Sequence, residues 1–301
     1  MVTARTRLAG VLVLAKSMTR GAKPLGRRIA AAGTAAFAAA LIATLNATGA
    51  NAKDVKVGTV YSVTLSGIPI AKANLSLILR GQAYSARVNF RTSGIARLAV
   101  ASHSQISAAG WWSRRGVSPA RYDMQSRTGK RLFHIKMGLE KGTVTSLSAR
   151  PRLKKLPDRI PVRPADRRHV LDPLSAALMP VSASRATVGR AACNRTLRVF
   201  DGWTRFNIKL HYKGTKTVST RGYKGPVTVC GARWVPVAGH RPRKKSVRFM
   251  QQNKGLEAWL APVGKLPVLV PFRISIDTKA GTIVLTASHM KMVGADFASS
   301  N

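Results

Sequence analysis

The chain has 301 residues, with 51 Lys+Arg against 10 Asp+Glu and a formal net charge of +41 at pH 7. Such an excess excludes a preference for cationic partners and implies attraction to polyanions, although the same charge also serves solubility. Hydrophobic residues make up 45% of the chain, enough to bury a sizeable core.

At the N-terminal end, Arg27-Arg28 precedes an Ala-rich apolar run, Ile29 to Leu45, and Ala50-Asn51-Ala52 follows as a small-x-small site. This pattern predicts a secretory signal peptide over 1–52, with Met18 as an alternative start and cleavage after Ala52. The expected product is a single domain, 53–301, periplasmic or secreted. Seven of the 51 basic residues and none of the 10 acids precede Lys53, so its charge is 44 − 10 = +34. Outside the cytosol the available polyanions are lipid headgroups and wall polymers. An anionic envelope lipid or polymer and peripheral membrane contact are therefore the expected partners, and nucleic acid is not. No feature specifies an oligomeric state.

From Val55 the chain reads as strands. Val57, Tyr61 and Val63 alternate with polar or small residues, Ser66-Gly67 turns the chain, and Ala73 to Leu79 and Tyr84 to Phe90 repeat the alternation. Gly94 to Ala101 fits either a helical turn or a buried strand. Trp111-Trp112 sit before a turn, where a pair either caps the core or contacts a ligand. Further strands follow through Tyr122, Leu132 to Met137 and Thr143 to Leu147. Arg150 to Arg168 then carries four prolines among many bases, which predicts a crossing segment because proline cannot donate to a ladder. At Asp172 to Met179 the spacing predicts a short helix, with Asp172 as its cap and Pro173 at its first position.

Cys193 to Tyr212 reads as a hairpin turning on Asp201-Gly202, a pair suited to a two-residue type I′ turn. That register opposes Phe200 to Trp203 and Arg198 to Arg205. It puts Leu197, Val199, Phe206 and Ile208 on one face. Opposed arginines repel, so Arg198 and Arg205 are candidates for holding an anion between them. Beyond the hairpin come strands at Thr217 to Tyr223, Pro226 to Cys230, Ala232 to Ala238, Ser246 to Gln251 and Gly255 to Ala261. A last hairpin turns around Lys279-Ala-Gly281. Cys193 and Cys230 are an even pair in an exported chain and favour a disulfide. About a dozen short strands predict an all-β antiparallel meander curved into a half-barrel or barrel, or alternatively a two-sheet sandwich.

No nucleophile elbow, zinc-protease motif, phosphate loop or Cys-x-x-Cys occurs. Glutamate appears only at Glu140 and Glu257, and the six histidines lack metal-ligand spacing. No catalytic residue, metal or cofactor is implied, and the reading is a non-enzymatic protein. A hydrolase would need a site assembled from residues distant in sequence. An interaction or scaffold module is the other alternative.

Several stretches together resemble the bacterial exported family known as domain of unknown function 3108. They are Tyr61 to Ala71, Arg91 to Gly94, Ser118 to Tyr122, Asp172-Pro-Leu-Ser175, Cys193 to Phe206 and Glu257-Ala-Trp-Leu260, with Leu266-Pro267 after it. The resemblance implies an exported, mostly β domain and brings no activity. The closing pattern is also similar to the periplasmic lipoprotein-carrier fold, an unclosed barrel with a lipid-accepting cavity. The meander, the export signal, the charge and the Arg198/Arg205 pair together predict a sheet concavity with a basic rim that holds an anionic amphiphile.

Overall fold

The structure is a computed structural model and describes residues 54–94, 96, 101–182 and 187–294. The expected signal peptide, and most of the Gly94 to Ala101 stretch, lie outside them.

Strict alternation in the first strands fixes one buried face. β1 (Val55–Leu65), β2 (Ile68–Arg80), β3 (Ala83–Thr92), β4 (Ser102–Ser113), β5 (Gly116–Thr128), β6 (Arg131–Glu140) and β7 (Thr143–Arg150) form a meander. Tyr61, Leu77, Leu79, Tyr84, Trp112, Tyr122, Met124, Ile135 and Met137 all point into one core. The tryptophan pair divides accordingly: Trp112 is buried in that core, and Trp111, on the opposite face, is 58% exposed.

After a long connection come β8 (Met179–Pro180), β9 (Thr196–Phe200), β10 (Arg205–Thr220), β11 (Tyr223–Ala238), β12 (Leu256–Pro262), β13 (Val268–Thr278) and β14 (Gly281–Val293). β14 returns to pair with β1. The result is one antiparallel sheet ordered β7-β6-β5-β4-β3-β2-β1-β14-β13-β12-β11-β10-β9, with β8 on β13. The ladder does not close, which leaves β7 and β9 as edges. Register shifts occur in six of the thirteen pairs, for example at Val60/Tyr61, Ala109/Gly110 and Trp259/Leu260. Bulges bend strands and add twist, which curls a sheet this long.

Two expectations about helices are corrected. Asp172 to Met179 is not a helix. Only Ser175–Ala177 makes a 3₁₀ turn, and then Met179 and Pro180 extend and pair with Leu269 and Val268. A residue before proline is disfavoured in helical geometry, and the strand pairing buries Leu178 and Met179. The helix lies instead at α1 (Lys245–Gln252), where alternating Val247 and Phe249 predict a strand. None of its residues is buried, so a packing pattern had little to report. Likewise, Pro226 to Cys230 and Ala232 to Ala238 are one strand, β11, so Cys230 lies mid-strand.

The gap between the sheet's edges is bridged by the connection from 151 to 182. Val170 N–H donates to Gly142 O on the β6–β7 turn at 2.8 Å. One residue on, Leu171 N–H donates to Arg198 O, and Phe200 N–H donates back to Leu171 O, forming a parallel bridge on the open side of β9. The β9–β10 loop completes the contact. Trp203 stands edge-on to Phe133 of β6 at 6.4 Å, and its Nε1–H donates to Pro151 O at 2.9 Å. Covering an edge in this way removes a template for unwanted strand pairing.

A second, smaller apolar cluster covers the other face of β11–β13. Met179, Val181, Ala192 and Cys193 lie over Cys230, Leu260 and Leu269. The expected disulfide joins Cys193 to Cys230, with Cα atoms 5.4 Å apart.

Candidate anion site at the sheet seam

Two buried aspartates hold the segments that build the seam. Asp172 Oδ1 accepts Leu174 N–H and Ser175 N–H at 3.0 and 2.9 Å, and Ser175 Oγ–H donates to Oδ2 at 2.5 Å. Tyr84 O–H then donates to Ser175 Oγ at 2.5 Å, tying the connection to β3. Asp201 Oδ1 accepts Trp203 N–H and Thr204 N–H, and Oδ2 accepts Thr204 Oγ1–H. Burial pushes both carboxyls up to about 6, against the hydrogen bonds they accept. The Asp172–Ser175–Tyr84 chain has the donors and acceptors of a structural network, and all three side chains are buried.

The expected two-residue turn is therefore a four-residue loop, Asp201 to Thr204, with Gly202 at φ 91°. Phe200 pairs with Arg205, and Val199 with Phe206. The register moves by two residues, so the faces are preserved and the opposed arginines are not. Arg198 pairs with Asn207, and Arg205 becomes its diagonal neighbour. Arg205 is buried and its guanidinium donates to Phe206 O. Burial first, and Arg198 second, lower its pKa to about 10, and Asp166 opposes them. In this register Arg198 and Arg205 are diagonal and not directly opposed.

Arg198 instead faces a pocket of about 450 Å³ at the seam. Its polar side chains are Ser118, Lys141, His169, Thr196 and Arg198, and no carboxylate lines it. Lys141-Gly142 is a true two-residue turn, both residues having positive φ (48° and 76°), and it joins Glu140 to Thr143. His169, at φ 53°, also takes the left-handed conformation, which non-glycine residues rarely adopt. Both lie against the hydrogen bond from Val170 to Gly142. Backbone held in such conformations concentrates at binding and switch sites. Lys141 and His169 are missing from the expected site. Their only signals are a Lys-Gly pair between two strands and a basic proline-rich stretch, and neither points to the other.

Aromatic and sulfur-bearing side chains pack together on the inner face under β1–β6. Among the described residues no group of three His, Cys, Asp or Glu is placed to hold a metal, and no helix is long and apolar enough to cross a membrane.

The family model described as a protein of unknown function, DUF3108, matches residues 60–288. The chain belongs to this family. The match runs from β1 into β14 and includes every element of the seam. No curated protein matches the chain. Among solved structures, it is similar to a β-barrel-like protein of domain of unknown function DUF1849 from Brucella abortus. That likeness has 9% identity, covers 80% of this chain and 98% of that one, and has a TM-score of 0.44.

Proposed function

We propose that this DUF3108 protein is an exported, non-enzymatic cell-envelope protein that holds the anionic group of an envelope lipid or polymer in its seam pocket. The observation that carries the reading is the pocket lining: Lys141, His169 and Arg198 converge on it and no carboxylate does. Hydroxyls from Ser118 and Thr196 add donors suited to a phosphate or carboxylate. The disulfide supports an oxidising compartment, periplasmic or extracellular. The packed inner face supports capture of a headgroup at the surface over carriage of a whole lipid inside the sheet.

The test is binding at low salt to phosphatidylglycerol vesicles and, separately, to soluble polyphosphate, for the parent and for Arg198→Glu and Lys141→Glu. Both variants alter exposed side chains. Each is expected to weaken binding at least tenfold, and the preferred probe separates headgroup from polymer. Unchanged affinity in both variants defeats the proposal.

A further inference from the structure

A concavity larger than the seam pocket lies elsewhere, a groove of about 820 Å³ on the outer face of β2–β7, opposite the core. Strand register arranges its lining in rows that run across the strands. Ser76 pairs with Arg87, Arg87 with Ser107, Ser107 with Asp123, Asp123 with Lys136, and Lys136 with Ser148. The neighbouring row is lower, with Ala109 and Gly138 on either side of Arg121. Gly138 lets the Ser146 side chain lie close over the backbone: Gly138 N–H donates to Ser146 Oγ at 3.1 Å, and a Cβ there would lie 2.6 Å from that oxygen. Six strands at about 4.8 Å spacing make this row roughly 24 Å long.

Its exposed side chains carry hydroxyls and charges, with Arg87, Arg121 and Lys136 against the single carboxylate of Asp123, set among apolar lining from residues such as Ile78 and Ala109. A serine hydroxyl both donates and accepts, and an arginine fork matches a carboxylate. An apolar platform stands at the groove's side. Trp111 lies on the same face of β4, two residues beyond Ala109 and so about 7 Å along the strand. Its exposed ring has an apolar face and a polar N–H.

We propose that this outer groove binds an extended acidic polysaccharide laid across the strands, with sugar carboxylates on Arg87, Arg121 and Lys136, hydroxyls on the serines and Asp123, and a sugar face on Trp111. The groove accounts for a polymer in a way a peptide would not match. Extended peptides that pair with a sheet add to its edge, and this groove lies across a sheet face. The row of serines and bases shares no residue with the seam pocket, which it approaches only at Trp111, the cross-strand partner of Ser118, and the proposal stands whether or not that pocket binds an anion.

Titration calorimetry with galacturonic acid oligomers of increasing length tests it, with dextran, oligothymidylate and phosphatidylglycerol vesicles as comparisons. Affinity is expected to rise with oligomer length until the groove is filled. Measured in the Arg198→Glu background, which removes the seam pocket's contribution, Arg121→Glu and Lys136→Glu should each weaken the longer oligomers tenfold or more, and Trp111→Ala should weaken them several-fold. All four positions are exposed, and circular dichroism of each variant verifies folding. Equal affinity for dimer and hexamer, indifference to both charge reversals, or tighter binding of oligothymidylate at equal charge would each overturn the assignment.

Discussion

Removing the Cys193–Cys230 bridge gives the sharpest quantitative test of the architecture. The two residues are 37 apart in sequence, and the bridge joins the turn before β9 to the middle of β11. In the chain-entropy account, closing a loop of that length in the unfolded chain is worth about 4 kcal/mol at 25 °C. The native side adds a local effect. Cys193 and Cys230 are fully buried in the smaller cluster, so Ala at both leaves a small void beside Leu260 and Leu269. For a domain of this size about 4 kcal/mol corresponds to a fall in Tm of roughly 8–16 °C. Thermal unfolding of oxidised protein, reduced protein and the Cys193→Ala/Cys230→Ala double variant measures it. The last two should agree with each other and fall well below the first. A loss under about 1 kcal/mol would mean that the 179–195 segment is held by packing alone, and the loop argument would be refuted.

Gly202→Ala should cost about 2–4 kcal/mol, because φ is 91° and a Cβ would lie 2.6–2.7 Å from Ile135; Arg198→Ala should stay within about 0.5 kcal/mol. Urea midpoints of the two variants give the comparison, and equal losses would contradict it. Asp172 and Asp201 have folded pKa values near 6, above the unfolded value, so their stabilising contribution is complete below about pH 4 and is lost as pH rises through 6. His240, lowered to about 4 by burial, acts in the opposite sense, losing stability as pH falls from about 6.5 towards 4. Asp172→Asn removes one falling contribution, so its stability relative to the parent should improve by roughly 3 kcal/mol between pH 4 and 7. Parallel pH profiles would show that Asp172 has an ordinary pKa.

Most of the strands were readable because a period of two survives whatever the partner strand is. Tyr61, Leu77, Tyr84 and Met124 needed no knowledge of their neighbours to declare a buried face. Register was not readable to the same depth. Asp-Gly suggests a two-residue turn, but a buried Asp201 side chain takes two backbone N–H groups and a hydroxyl, and the loop lengthens to four. A slip of two keeps every side chain on its face, so the apolar set Leu197, Val199, Phe206 and Ile208 survives, while the Arg198–Arg205 opposition does not. The seam pocket depends on still longer relations. Ser118, Lys141, His169 and Arg198 come from four separate stretches, and only the crossing segment's return along β9 brings them together.

The high charge also takes on a more definite meaning once the acids are located. Asp54 pairs with Arg80, Asp158 with Arg241 and Glu257 with Lys213. Asp166 accepts Arg163 N–H, Asp277 accepts Thr282 Oγ1–H, and Asp172 and Asp201 are buried in backbone caps. Seven of the 10 acids are thus committed to internal contacts, and only three of these contacts are ion pairs with Lys or Arg. The basic residues far outnumber the acids available to neutralise them, so the surface attracts any polyanion at long range. Charge alone cannot then select a ligand. Selection falls to the two places where shape joins charge, the seam pocket without a carboxylate and the outer groove with one. Asp123 in the groove would repel a featureless polyanion and accept hydroxyls from a sugar chain. That difference is why the groove suits a polymer bearing both carboxylates and hydroxyls, and why Asp123→Asn should raise affinity for polyphosphate while lowering it for galacturonate oligomers. A change of the same sign for both ligands would leave the groove no more selective than the rest of the surface.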